Sequence, residues 1–131
     1  MVATDRISAT FADARAVHAD ALRLLEAGDI RDAAEKAWCA TKRATDALIL
    51  ARTSTEPEFS PDTTRGLVRL AAADSAVNSL VGRYYSRQGH LHGTCFYLGD
   101  CEPVAEVHRR IRQTADYIND AERLAGYSNS A

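Results

Sequence analysis

Ile7, Phe11, Ala14, Ala21 and Leu25, with His18 in the same stripe, recur at alternating spacings of four and three. That rhythm is one face of an amphipathic helix and predicts a helix over about 8–27. Gly28 stops it and Asp29 caps the next. A link this tight implies an antiparallel hairpin. The second helix is predicted over about 30–52, with Ile30, Ala34, Ala37, Trp38, Thr41, Ala44, Thr45 and Leu48 inward. Arg31–Glu35, Asp32–Lys36 and Lys42–Asp46 fall at i,i+4 and read as outer-face ion pairs. Residues 53–60 form a polar linker. Ser60-Pro61 then reads as an N-cap with proline at the first helical position of a short helix ending near Ala73.

A fourth helix is predicted over about 74–98, ended by Gly99-Asp100. Its core side reads Val77, Leu80, Tyr84, Leu91, Cys95 and Leu98. The last helix is predicted over about 102–125, with Val104, Val107, Ile111, Ala115, Ile118 and Leu124 inward. No strand alternation and no repeat is visible. The fold class follows: all-α, an antiparallel bundle of four to five helices. It forms a single domain over 1–131, with the core at about 7–126 and a frayed C-terminal tail.

Composition agrees. The 131 residues are 46% hydrophobic and 26% charged, enough for one packed core and too apolar for wholesale disorder. No apolar run approaches the roughly 20 residues that span a bilayer, and the first residues lack the apolar core of a signal peptide. Cys39, Cys95 and Cys101 are an odd set without a CxxC pair and read as buried thiols of a reducing cytoplasm. The expected location is therefore cytoplasmic.

Net charge is −2, so attraction to nucleic acid requires a local patch. One exists. Residues 75–99 contain no acid but hold Arg83, Arg87, His90 and His92. On a helical wheel Gly82, Ser86, Gly89 and Gly93 make a strip of small residues. Arg83, Arg87 and His90 flank it on one side, Tyr85 and His92 on the other. Glycine costs roughly 1 kcal/mol in a helix relative to alanine, so the strip suggests close approach of another backbone. The partner is either another helix of the chain or the same helix of a second copy.

The helical hairpin followed by Arg87-Gln88-Gly89-His90-Leu91-His92 resembles the HEPN superfamily of nucleotide-binding domains. Its signature is an arginine, often a polar follower, and a histidine after four to six intervening residues. Arg87 to His92 has four between, with Gln88 as follower, and Arg83 to His90 has six. Leu91-His92 through Phe96-Tyr97 is similar to a pattern of small prokaryotic members. The resemblance implies a metal-independent endoribonuclease, often the toxin of a toxin–antitoxin pair, with a composite site at a homodimer interface. It also implies an alternative, a non-catalytic dimer that binds a nucleotide, RNA or a protein partner. Arg87 and His92 are the implied catalytic pair. Arg83, His90 and Gln88 are alternative or supporting residues, and Gly82, Ser86, Gly89 and Gly93 are the expected dimer contact. In the nucleotidylated version of the family a tyrosine follows the histidine by two; here that position is Thr94.

The two registers differ in geometry. Arg83 and His90 lie about 20° apart on a straight helix, whereas Arg87 and His92 lie about 140° apart, with His92 near the core side. The chemistry suits both. An imidazole exchanges a proton near neutral pH and a guanidinium holds a phosphate. No cofactor or metal is implied: His90, His92, Cys95 and Cys101 have no zinc-ligand spacing. His18, His108 and Trp38 read as packing or surface residues.

Overall fold

The computed structural model describes residues 2–126, with side chains from residue 4 onward. Helix α1 spans Val2–Glu26, α2 Ile30–Thr53, α3 Ser60–Ala73 and α4 Ser75–Arg87. A π-helical segment, Gln88–Tyr97, continues α4 directly, and α5 (Val104–Arg112) and α6 (Thr114–Leu124) follow. Only Gln113 separates α5 from α6, so the described residues trace five rods, the all-α bundle that the periodicity predicts. The predicted tail at 127–131 lies outside the described residues.

Helix α2 is the axis of the bundle, in contact with every other rod. Its sequence explains this. Ala33, Ala34, Ala37, Ala40, Ala44 and Ala47 have no exposed surface. Side chains this small let neighbouring helices approach from several sides. The α1–α2 hairpin is the largest contact. Gly28 turns at φ 89°, and the Asp29 carboxylate accepts the Asp32 N–H at 3.1 Å, as the sequence predicts. Helix α3 sits close on α2 at Gly66, where an added Cβ would lie 2.8 Å from Ile49 Cδ1. Asp74 ends α3 and caps α4 by accepting the Ala76 N–H at 2.9 Å. At its other end α3 starts one residue earlier than predicted, with Phe59 as N-cap and Ser60 already helical.

Several sequence expectations are corrected. Leu98 is not core but 72% exposed, because the π segment turns the chain less per residue than the α wheel assumes. The i→i+5 bond from Leu98 N–H to Gly93 O, 3.0 Å, belongs to that wider turn. Val104 and Ala115 are exposed, and the break at Gln113 moves the inner face of α6 to Thr114, Tyr117, Ile118 and Ala121. The supposed outer-face pairs of α2 serve tertiary contacts. Arg31 donates to the carbonyls of Phe96 (2.6 Å) and Tyr97 (3.2 Å), Glu35 engages His92, and Asp46 is buried against the Thr63 hydroxyl at 2.5 Å. Finally, Cys95 and Cys101 are joined in a disulfide, not two thiols, while Cys39 stays free. The turn at Gly99, φ 75°, brings Cys101 back against the end of the π segment. The sequence argument from cysteine usage for a reducing compartment therefore falls away.

Candidate functional site

Arg87 lies inside the bundle, only 6% exposed. Its Nε donates to Thr41 Oγ1 of α2 at 2.9 Å and its Nη2 to the Arg110 carbonyl at 2.8 Å, with a further bond to Thr114 Oγ1. The acceptors are prearranged. Thr41 Oγ1 donates back along its own helix to Ala37 O at 2.9 Å, and Thr114 Oγ1 donates to Arg110 O at 3.4 Å. Each hydroxyl thus turns a lone pair to the guanidinium. Burial, with Arg83 and Arg110 adding repulsion, pulls the Arg87 pKa down to about 10.

Arg87 also lines a depression of about 350 Å³ between α4 and the α5–α6 junction. Arg83, Ser86, Arg109, Arg110, Gln113 and Asp116 complete it. Arg83 pairs with Asp120 at 2.8 Å and lies over the Tyr117 ring at 5.4 Å. Arg109 Nε pairs with Glu106 at 3.0 Å. The Tyr117 hydroxyl shares a 2.7 Å hydrogen bond with Thr45 Oγ1, and burial pushes its pKa up.

His92 occupies the other flank. Its Nδ1 is 2.7 Å from Glu35 Oε1 on α2, and 43% of its side chain is exposed. The ring stacks beside Phe96 (centroids 6.2 Å, 23°) and lies 6.2 Å from Trp38. A carboxylate oxygen only accepts, so Nδ1 carries the hydrogen of this contact, and in the neutral ring Nε2 is the acceptor. The Arg31 contacts and the Cys95–Cys101 disulfide tie down the end of this segment.

Between the flanks runs the strip of small residues. Gly82, Ser86 and Gly89 are exposed, and a Cβ at Gly82 or Gly89 would meet no atom within 4 Å. Gly93 is half-buried and faces only the Gln88 carbonyl, 3.7 Å away. Intrachain packing against another helix is therefore not the use of this strip.

The structure thus unites Arg83 and Arg87 in one depression and gives His92 a carboxylate. Arg87 and His92 engage α2 at Thr41 and Glu35, about 120° apart around that helix. Arg83 turns to Asp120 while His90 is exposed and Gln88 half-buried. His18, in the stripe of α1, is buried and its Nε2–H donates to the Ile111 carbonyl at 2.9 Å. Sequence reasoning missed Glu35, Arg109, Arg110 and Gln113. The Arg109-Arg110 tandem was the available signal; nothing in the sequence marks Glu35.

Among the described residues no helix is long and apolar enough to cross a membrane, and no three His, Cys, Asp or Glu side chains group as metal ligands. No curated protein and no solved structure matches the chain. A family match does cover residues 9–117, from the first turns of α1 to the first turn of α6, and so includes both flanks of the site. The chain belongs to the archaeal PaREP1/PaREP8 family.

Proposed function

We propose that this protein is a HEPN-like, metal-independent endoribonuclease of toxin-like, cytoplasmic character, working as a homodimer with RNA as substrate and an antitoxin protein as partner. The observation that carries the reading is the Glu35–His92 dyad, 2.7 Å long on a half-exposed ring. With Nδ1–H held by Glu35, Nε2 is free to take the proton of a ribose 2′-OH. The 2′ oxygen attacks the adjacent phosphorus, the 5′ oxygen leaves, and a 2′,3′-cyclic phosphate forms. The carboxylate orients the imidazole and fixes its tautomer, a division of labour that recurs in hydrolytic sites.

The open strip supports the dimer. Its exposed face in the single chain is free to pair with the same strip of a second copy. Such pairing would bring the arginine flank of one chain towards the histidine flank of its partner. In this reading Arg87 is the fixed charge at the floor of the arginine depression and does not swing onto the substrate.

The test is cleavage of an RNA and of its 2′-deoxy analogue with chelator present, followed by end-group analysis. The reading expects cyclic-phosphate ends from the RNA and none from the analogue. Equal cleavage of both, or cleavage only with added metal, would contradict it. A second reading, a non-catalytic dimer that binds a nucleotide, RNA or a protein partner, is favoured by one observation. The arginine depression is complete within one chain, whatever His92 does.

A further inference from the structure

The arginines of the depression carry more positive charge than the surrounding carboxylates neutralise. Arg83 is matched by Asp120 and Arg109 by Glu106. Arg87 and Arg110 are left facing Asp116 alone among the lining residues. Arg87 bonds only to neutral oxygens. The Arg110 guanidinium makes no direct salt bridge among the described residues and feels Glu106, already paired with Arg109, only at longer range. A buried charge without a bonded counter-ion is costly, and the fold holds this one by three hydrogen bonds, one to α2 and two to the α5–α6 junction. A fixed cation at the base of an open depression is a preorganised seat for an anion.

The shape narrows the anion. About 350 Å³ is far more than one phosphate needs and comparable to a small-ligand pocket. Yet the lining is arginine, serine, glutamine and aspartate, with no apolar or aromatic wall on which a base could stack. The Tyr117 ring is fully buried and already covered by Arg83. The Gln113 side-chain oxygen accepts from Arg109 at 3.4 Å, which leaves its amide N–H groups as neutral donors beside the guanidinium groups.

We infer that the depression framed by Arg87, Arg109, Arg110 and Gln113 is a sequence-independent seat for a backbone phosphate of single-stranded RNA. It deepens the endoribonuclease reading by assigning two substrate-holding residues, Arg109 and Arg110, outside the Arg87–His92 pair. It rests on that reading only for the choice of RNA. Arg109 and Arg110 would grip the entering phosphate, and Arg87 would supply fixed charge beneath it.

The experiment measures binding of a labelled, fully 2′-O-methylated RNA 12-mer, which offers no 2′-OH nucleophile, over a salt series. Wild type is compared with Arg109→Ala/Arg110→Ala. Arg23→Ala, at an exposed pair with Asp20 on α1, is the control for nonspecific charge loss. The double variant should bind about tenfold or more weakly and lose about 1.4 from the slope of log affinity against log salt, two single-strand contacts' worth. The control should match wild type. The Arg110 carbonyl that Arg87 uses survives the substitution, and an unchanged melting temperature verifies it. Affinity and slope equal to wild type in the double variant would overturn the inference. So would millimolar AMP or inorganic phosphate binding in the depression while the RNA does not bind, since the seat would then serve a free phosphate. If the RNA binds as described but no 2′-OH RNA is ever cut, the phosphate seat stands and the nuclease reading alone falls.

Discussion

Replacing Arg87 with methionine separates what this residue does for the fold from what it does for the site. The methionine keeps most of the buried stem and removes the guanidinium. Three hydrogen bonds are lost, to Thr41 Oγ1, Thr114 Oγ1 and the Arg110 carbonyl. A bond from a charged donor contributes about 1.5–3 kcal/mol. The lower end applies here, because both threonine hydroxyls keep a bond to their own helix. The loss is therefore about 4–5 kcal/mol. Against it stands the burden of a buried charge. A pKa pulled down to about 10 corresponds to about 3 kcal/mol held against the protonated form. The net cost of Arg87→Met is then about 1–2 kcal/mol. Arg87→Ala also loses the buried stem, about 2 kcal/mol more. Urea unfolding followed by the fluorescence of the single tryptophan, Trp38, with a constant denaturant slope, measures both. Arg87→Met should fold, lose 1–2 kcal/mol (about that much), and lose RNA binding and cleavage. If methionine costs as much as alanine, or more than about 4 kcal/mol, the guanidinium is a net staple of the fold and the reasoning fails.

Other outcomes follow from the same structure. Burial lowers the pKa of His18, against the partly opposing bond to the Ile111 carbonyl. The unfolded chain therefore takes up the proton first as pH falls below its ordinary value near 6.5. Stability from this residue is intact above that pH and is lost below it. Urea melts at pH 7.5 and 5.5 should differ less for His18→Gln than for wild type, and an equal difference would refute the assignment. The Cys95–Cys101 bridge closes a short loop of sequence separation 6, so reduction or Cys101→Ser should cost about 2 kcal/mol in a thermal melt. An unchanged melt would mean that the bridge does not hold the π segment. Gly89→Leu meets open space within the chain, so the monomer should gain up to about 1 kcal/mol of helix propensity while sedimentation shows weaker association. Unchanged association would remove the strip from the interface.

The sequence made the frame of this protein legible and its site only in part. Ile7 to Leu25 and Ile30 to Leu48 are long and strictly periodic, and Gly28-Asp29 between them can only be a turn and a cap. Local rules decide such elements. Leu98 and Ala115 were misplaced because the α wheel was extended through a π segment and across the break at Gln113, neither of which has a distinct composition. Val104 shares the face of Val107 and Ile111 but is the first residue of α5 and stands exposed at its end. Arg31, Glu35 and Asp46 looked like a solvated face because i,i+4 spacing is a local signal. Their partners, Phe96, His92 and Thr63, are distant in sequence. The same limit applies to the site. Arg83, Arg87 and His92 stood out on one acid-free stretch, but the groups that decide their chemistry come from elsewhere: Glu35 from α2, and Arg109, Arg110 and Gln113 from the α5–α6 junction.

The central proposal is that one active site is built from the histidine flank of one chain and the arginine flank of its partner. Mixing two inactive variants tests this directly. In a mixed dimer of His92→Ala with Arg87→Met, one composite site carries both substitutions and the other carries neither. Each variant alone should leave RNA intact. The mixture, equilibrated to allow subunit exchange, should recover up to about a quarter of wild-type cleavage, from mixed dimers that make up about half the population and hold one intact site each. If the variants are inactive alone and remain inactive when mixed dimers are shown to form, the site is not shared between chains and the account is contradicted.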